Sequence, residues 1–579
     1  MEEKGVNKTM LKKYNDLSAL DEYGHGTHCA FAAAGSYVNN VKYYNLNRGT
    51  VRGGAPLARL AIYKVGWQLE EDGEPTMATV DILASIDDAI KDGVDVLSAS
   101  FGEDFKNLAE VHEDLALGAF HAVIHGIPVI AAGGNTGPDS NTITNASPWL
   151  ITVAAGNSDN DIVTPLTLEN NKTIIGQGLF KRKEEVFAPL ITFPNITNNE
   201  QVKSIANEVD GKVLMLLFPK EDDITASLLT LNTTGVLAFI VAISPTDKIW
   251  DYNKLIDVPI PFIAIDLEQG NQIFDYFLQC KSNNQDPMIK LGRSKVVEGN
   301  DIPLKVAKFS SRGPNSFTTE ILKPDVAAPG VSILAAVCPL KGNNGFQIYS
   351  GTSMATPHVA GIVGLLKVAH PNWSPAAIKS ALVTTAWNED TYRSEIYSEG
   401  TGGKIADPFD FGGGICNPNG ATDPGLVYDM DKNDYMNYLC SLGYSNDKVY
   451  NATTYFSKTK NSTAAGIICP HEVPSRLDLN LPSISIPNLK NSITVRRTVT
   501  NVGDSNSIYK LVVNPPKNTA IKVSPHILKF SSQTKKISFE VTITSTQQRA
   551  SKFNFGSLAW ADGKHFVRIP IAVRKQADV

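Results

Sequence analysis

Residues 350–361 read Ser-Gly-Thr-Ser-Met-Ala-Thr-Pro-His-Val-Ala-Gly, and their reading decides the rest of the chain. Ser353 stands among small residues, where a tight turn runs into a helix. Val359, Ile362, Val363, Leu365 and Leu366 follow at the spacing of a buried apolar helix. Gly351 leaves room for another backbone to come close. Pro357 is expected in the first turn, where a missing N–H costs little. A hydroxyl at a helix N-terminus faces unpaired N–H groups and the positive end of the helix dipole. An oxyanion forming there would be stabilised. Two other readings compete. Serine is a favoured N-cap, so Ser353 would serve the helix alone. A nucleophile elbow needs Gly-x-Ser-x-Gly, and the fifth position here is Ala355.

A base and an oxyanion donor elsewhere decide among the three. Residues 24–28 read Gly-His-Gly-Thr-His and open a small-residue helix that ends at Gly35. Glycines flank His25 and no bulky neighbour hides its ring, which suits an imidazole that must reach a distant serine. His28 suggests a metal pair, but no matching Glu or third ligand accompanies it, so no metal site is expected. Residues 127–138 read Ile-Pro-Val-Ile-Ala-Ala-Gly-Gly-Asn-Thr-Gly-Pro. A buried parallel strand, Pro128–Ala132, runs into a glycine turn that carries Asn135. Asn135 is either an ordinary turn asparagine or an amide donor to an oxyanion, with the Ser353 N–H as second donor.

The three segments occur in the order His, Asn, Ser, whereas in the elbow enzymes the acid and base follow the serine. Together they resemble the subtilisin-like serine peptidases. Phe309-Ser-Ser-Arg-Gly-Pro314 and Lys323-Pro-Asp-Val-Ala-Ala-Pro-Gly330 match segments that this family carries before its serine. His370-Pro-Asn-Trp-Ser-Pro375 and Pro424-Gly-Leu-Val-Tyr-Asp429 are similar to the plant branch in particular. The resemblance implies a serine endopeptidase acting on polypeptides, with no cofactor. It assigns Ser353 as nucleophile, His25 as base and Asn135 as oxyanion donor. It places Ser98, Ala99, Ser100, Phe101 and Gly102, with Gly133 and Gly134, on the side that binds an extended substrate; an ordinary core strand end is the other reading of Ser98–Gly102. It also implies a disulfide between Cys440 and Cys469 and a secreted product, in the apoplast or cell wall.

The family's triad also needs an aspartate on an Asp-Thr-Gly or Asp-Ser-Gly turn, which neither Asp16 nor Asp21 provides and which occurs nowhere in the sequence. Only 24 residues precede His25, and they are polar and lysine-rich. The chain is therefore expected to start inside a catalytic domain, without propeptide or signal peptide, and to be inactive or nearly so. The alternative is a catalytically silent, protease-like protein that binds peptides or partners.

A length of 579 residues suggests about three to five domains. Hydrophobic content of 42% and charged content of 19% are those of a globular protein. A net charge of −6 gives no basic patch for nucleic acid. The longest apolar run, Gly235–Ile243, is too short to cross a bilayer. Six cysteines in this length do not make a disulfide scaffold, and Cys29 reads as a buried free thiol. Sequons at Asn7, Asn145, Asn171, Asn195, Asn232, Asn372, Asn451 and Asn461 give weak support for secretion.

Residues 25–135 alternate strand and helix: a buried strand over Ala58–Val65, an amphipathic helix over Val80–Ile90 stopped by Gly93, a strand over Val94–Ser100, and a helix over Ala109–His125. This predicts an α/β fold with a doubly wound parallel sheet, incomplete at its N-terminus. The catalytic domain is expected over residues 1–184 and 293–448. Between them, 185–292 resembles the protease-associated α+β insert of plant subtilases, with a helix over Glu268–Leu278. Such an insert guides substrates, supports a homodimer or is purely structural. Residues 478–575 show period-two alternation with turn signals, a β-sandwich of the fibronectin-III-like kind.

Overall fold

The computed structural model describes residues 18–576, except 45, 68–74, 103–113, 181–183, 194–198, 218–230, 232, 233, 244–259, 300, 301, 339–343, 391, 448, 450–468 and 548. Asp16 and the sequons at Asn7, Asn195, Asn232, Asn451 and Asn461 lie outside the described residues.

The alternating segments form the expected parallel sheet. Helix α1 spans His25–Ala34, α2 Thr79–Asp92, and strand β1 Leu97–Ala99. Helix α3 is described over Asp114–Ile124 and leads to β2, Val129–Ala132, and β3, Ile151–Gly156. After the insert come β4, Val326–Pro329, helix α4, Thr352–Ala369, and helix α5, Pro375–Thr385. The strands β1, β2, β3 and β4 run parallel, in that spatial order, with Ser98 opposite Ile130, Ala132 opposite Val153, and Val326 opposite Val153. A short strand, 305–306, pairs with β3 at Gly156.

Strand alternation sends side chains to two cores. On one face Val129 and Ala131 meet Ile82, Ile86, Leu115 and Phe120 of α2 and α3. On the other, Ile130, Ile151 and Val153 meet Ala355, Val359 and Val363 of α4 and Ile378 of α5. Gly93 ends α2 in the left-handed region, at φ 74°. Ser374 caps α5 by accepting from Ala377 N, and Pro375 opens it.

Three expectations fail here. Residues 58–65 form no strand, and Leu57, Leu60 and Ile62 are 92%, 51% and 65% exposed. A β-strand exists only through its ladder, and no described residue pairs with this segment. The second concerns the insert. Its eight-stranded sheet begins at Asn160, not at 185, because 160–168 and 173–178 pair with each other and with the later strands. It runs on to Glu298, past 292. Pairing of Ile289 with Leu168 closes the sheet on itself around Leu166, Phe180, Ile240 and Ile263. The helix of the insert covers Leu267–Ser282, opened by a reciprocal Asp266–Gln269 cap.

The third concerns the sandwich. Its four-stranded sheet includes Leu426–Val427, which pair with Asn501 and Thr500 although they lie before 448. Tyr428 is buried there with Trp560, Phe539 and Tyr509. The five-stranded sheet opposite contains 484–489, 508–514, 527–529, 554–561 and 566–575. Cys440 and Cys469 form the disulfide the resemblance implied, and Cys29, Cys280, Cys338 and Cys416 are free. Among the described residues, no helix is long and apolar enough to cross a membrane.

Helices α1 and α4 cross where both are reduced to small residues. A Cβ on Gly361 would lie 2.7 Å from the Ala33 carbonyl oxygen and 3.1 Å from Gly54 Cα. Gly364, one turn on, faces nothing within 4 Å. Gly361→Ala is therefore expected to destabilise the protein by about 1–3 kcal/mol. Gly364→Ala is expected to stabilise it by up to about 1 kcal/mol through helix propensity. Urea unfolding of the two variants against the parent measures both.

Candidate active site

The helix that carries the serine begins at Thr352, two residues earlier than a capping Ser353 requires. Gly351 is its N-cap and makes no side-chain cap, so Ser353 lies inside the first turn, which rules out the cap reading. Pro357 is inside the helix, beyond the first turn. Having no N–H, Pro357 leaves the carbonyl of Ser353, four residues back, without its helical partner. That carbonyl accepts instead from Ser100 Oγ at 2.8 Å and from Cys29 Sγ at 3.3 Å. The Ser353 hydroxyl in turn donates to the Ser100 carbonyl at 3.1 Å. The proline thus ties α4 to the end of β1 and to α1.

His25 is the first residue of α1. Gly24 precedes it at φ 96°, a left-handed conformation that a β-carbon resists. Asp21 satisfies the helix start: Oδ1 accepts from Tyr23 N and Gly24 N, and Oδ2 from Thr27 N and Oγ1. Burial opposes its charge, but these hydrogen bonds outweigh burial and hold its pKa below the ordinary value. His25 Nδ1 lies 3.9 Å from Cys29 Sγ. Burial pushes the Cys29 thiol up to about 12, so it stays protonated at neutral pH and is a poor nucleophile or metal ligand. His28 points away, its Nε2 near the carbonyls of Ile333 and Gln347 and its ring 4.6 Å from that of Tyr349. Among the described residues, no group of three metal-ligating side chains converges.

Asn135 is held from two sides. Its Oδ1 accepts from Thr352 N and Thr352 Oγ1, both at 2.9 Å. A backbone N–H can only donate, so this end is the oxygen and Nδ2 is left as the outward donor. The turn around it is gripped by residues 309–311. Ser311 N donates to the Gly134 carbonyl, Gly137 N to the Phe309 carbonyl, and Thr136 N to Ser311 Oγ. The ideal Cβ position on Gly351 lies 3.6 Å from both Asn135 Nδ2 and Ser353 N. Two donors therefore lie equally near one point beside the serine, which Met354 Sδ approaches to 3.7 Å. Gly351 keeps that point clear; the close approach expected there occurs at Gly330, where a Cβ would meet the Gly351 carbonyl at 2.7 Å.

His25, Asn135, Ser353, Ser98, Ala99, Ser100 and Phe101 line one cleft. Gly102, Gly133 and Gly134 do not. Gly133 N donates to Val153 O, and its carbonyl accepts from Thr144 N. Gly134 N donates to Thr352 Oγ1. With these groups engaged, Gly133 and Gly134 shape the Asn135 turn. Sequence reasoning missed the contributions of Cys29, Thr352 and Asp21. Only Asp21 left a signal, a capping residue placed just before the helix start.

The chain has counterparts among known proteins. A model described as the subtilase family matches residues 3–414. The chain belongs to the subtilase family. A fibronectin type-III model matches residues 478–573 of this subtilase. Subtilisin-like protease SBT3.5 of Arabidopsis thaliana is 44% identical over 591 residues, covering 99% of this chain and 74% of the relative. SBT3.16 of the same plant is 47% identical over 564 residues, 96% of this chain and 70% of the relative. A crystal structure of the psychrophilic subtilisin-like protease Apa1 from Pseudoalteromonas sp. AS-11 gives a TM-score of 0.36 at 16% identity, over 72% of this chain and 87% of that one, too loose to carry further argument.

Burial holds three histidines of this subtilase below their ordinary value, His28 and His121 at about 4 and His358 in the same direction. Each is neutral in the fold and takes up a proton on unfolding in mild acid. Stability is then full above about pH 6.5 and falls as pH drops towards about 4, by up to about 1.4 kcal/mol per pH unit for each proton. His28→Gln is expected to flatten that slope by up to one proton's worth. Urea unfolding across the window measures the slope, and an unchanged slope contradicts the assignment.

Proposed function

We propose that this subtilase cleaves polypeptides by acyl transfer. Ser353 attacks the scissile carbonyl, and His25 takes its proton and returns it to the leaving amine. Asn135 Nδ2 and Ser353 N hold the oxyanion. The observation that carries this is that Asn135 Nδ2 and Ser353 N each lie 3.6 Å from one point beside the serine, in the cleft that His25 also lines. An extended substrate would lie along Ser98–Phe101, which line the cleft at the C-terminal end of β1, where ligands of open parallel sheets bind. With neither Asp-Thr-Gly nor Asp-Ser-Gly in the sequence, the orienting acid is not supplied in the family's form. In subtilisin, loss of that acid alone lowers kcat by about 3 × 10⁴, a value that belongs to that enzyme.

One contact favours the silent, peptide-binding reading. The single hydroxyl hydrogen of Ser353 is directed to the Ser100 carbonyl, and it must turn towards His25 before it can be withdrawn. We read the inserted sheet as a protease-associated domain that guides substrates or supports a homodimer. The product is secreted and glycosylated on this reading, with Asn171 and Asn372 exposed to carry sugar. Asn145 cannot carry it: it is 2% exposed, and its amide donates to the Phe101 and Ala132 carbonyls.

A fluorophosphonate probe tests the nucleophile. Slow labelling at Ser353 that disappears in Ser353→Ala and His25→Ala is the expected result; no labelling on long incubation favours the silent reading. Asn135→Ala is expected to slow peptide hydrolysis about 10²–10³-fold through kcat, with KM little changed. An equal rise in KM at constant kcat would show that Asn135 only helps to bind substrate.

A further inference from the structure

The loop that carries Asn135 is closed at its base, where Thr144 N donates to the Gly133 carbonyl, and a second segment holds both of its limbs. On the outgoing limb, Ser311 N donates to the Gly134 carbonyl and Gly137 N to that of Phe309. On the return limb, Thr142 N and Ile143 N both donate to the Arg312 carbonyl, each at 3.0 Å. Arg312 N donates to Thr142 Oγ1, and Asn141 N to the Gly313 carbonyl. Residues 309–313 thus splint the loop, yet they belong to no strand or helix themselves. No ladder fixes them, so other contacts must.

The Arg312 side chain, 2% exposed, supplies two of those contacts. Its Nη2 donates to the Ala307 carbonyl at 2.9 Å, and Nε lies 3.6 Å from Asp410 Oδ1. Gly313 N donates to the Phe409 carbonyl beside it. Asp410 is fixed in turn: Oδ2 accepts from Asp407 N and from Lys404 Nζ, both at 2.8 Å. Asp407 and Asp410 close the short helix Pro408–Phe411 by a reciprocal cap. Desolvation offsets much of the attraction in a buried ion pair, so such a pair adds little stability of its own. What this one fixes is position. We propose that Arg312 and Asp410 are positioning residues for Asn135: they hold the splint, and the splint holds the loop that aims Nδ2. The inference rests on the reading of Asn135 as an oxyanion donor. Asn135 Oδ1 is already tied to Thr352, so the splint governs the backbone that remains. An oxyanion donor works through preorganisation, so a displaced loop costs rate and spares substrate affinity.

The test uses the full chain and Arg312→Met, which keeps a long side chain and leaves Asp410 paired with Lys404. Hydrogen–deuterium exchange is followed at 134–144, with β3 and β4 as controls. Arg312→Met is expected to speed exchange in the loop at least about tenfold and to leave both strands unchanged. Fluorophosphonate labelling of Ser353 is expected to slow about tenfold, less than on removing the donor outright. On an Asn135→Ala background the same substitution is expected to slow labelling less than about twofold, because no donor is left to misplace. Asp410→Asn, which keeps an oxygen for Asp407 N, is expected to repeat the pattern. The proposal is overturned if exchange in the loop is unchanged, or if it rises equally in loop and strands, which would mean general loosening. It is overturned too if the slowing persists in full on the Asn135→Ala background. A parent chain that is never labelled refutes the acyl-transfer reading alone, and the exchange pattern then decides whether the pair positions the Asn135 loop.

Discussion

The carbonyl of Ser353 is the contact on which the site depends. A helix normally satisfies that oxygen from within, and Pro357 forbids it. The vacancy is filled from outside, by Ser100 Oγ and Cys29 Sγ. These donors come from the end of β1 and from the helix that begins with His25. One missing N–H therefore joins three elements distant in sequence, and holds the nucleophile beside the end of β1. The cost of an interior proline, about 3 kcal/mol in an isolated helix, is offset here because the freed acceptor regains two donors and the helix is buried against the sheet.

Beside this clasp, buried charges cross the core. Lys323, fully buried, donates to the Leu150 carbonyl, Thr152 Oγ1 and Asp325 Oδ2. Lys379 of α5 donates to the Pro148 and Leu150 carbonyls and lies 3.0 Å from Asp325 Oδ1. Asp325 also accepts from Thr152 N. Burial lowers the Lys323 pKa to about 7, and the Asp325 carboxylate works against that shift. Removing one member would strand the others in an apolar interior, which costs more than the pair contributes. The result is a buried network that links β3, the start of β4 and α5.

The sequence made legible what lies in contiguous motifs. His25, Asn135 and Ser353 each stand in a short run of small residues, and the cleft gathers them. Helix α2 was legible because Ile82, Ile86 and Ala89 recur on one face and Gly93 stops it. What failed was non-local. Residues 58–65 have the composition of a core strand, but a strand needs partners, and composition does not supply them. The insert's start was misplaced because 160–178 joins its sheet only through pairing with 263–298, more than a hundred residues downstream in part. The first turn of α4 was misjudged by the position of its cap: with Gly351 there, Pro357 falls deeper in the helix and its consequence for Ser353 follows. The Phe309–Pro314 motif was visible without a role, and its grip on the Asn135 turn emerges only in three dimensions.

The strand Leu426–Val427 belongs by sequence to one domain and by hydrogen bonding to another. Tyr428 sits in the sandwich core, while Tyr428 N donates to Ser380 Oγ of α5. Ser485 Oγ reaches back to the Thr319 carbonyl, and Arg568 to that of Gly413. The two units thus interlock, each holding a piece of the other's chain. A cut at the apparent boundary near 478 would leave the sandwich without a strand and the catalytic part with a bared tyrosine. The two units therefore part cleanly only upstream of Leu426, well before the point where composition changes.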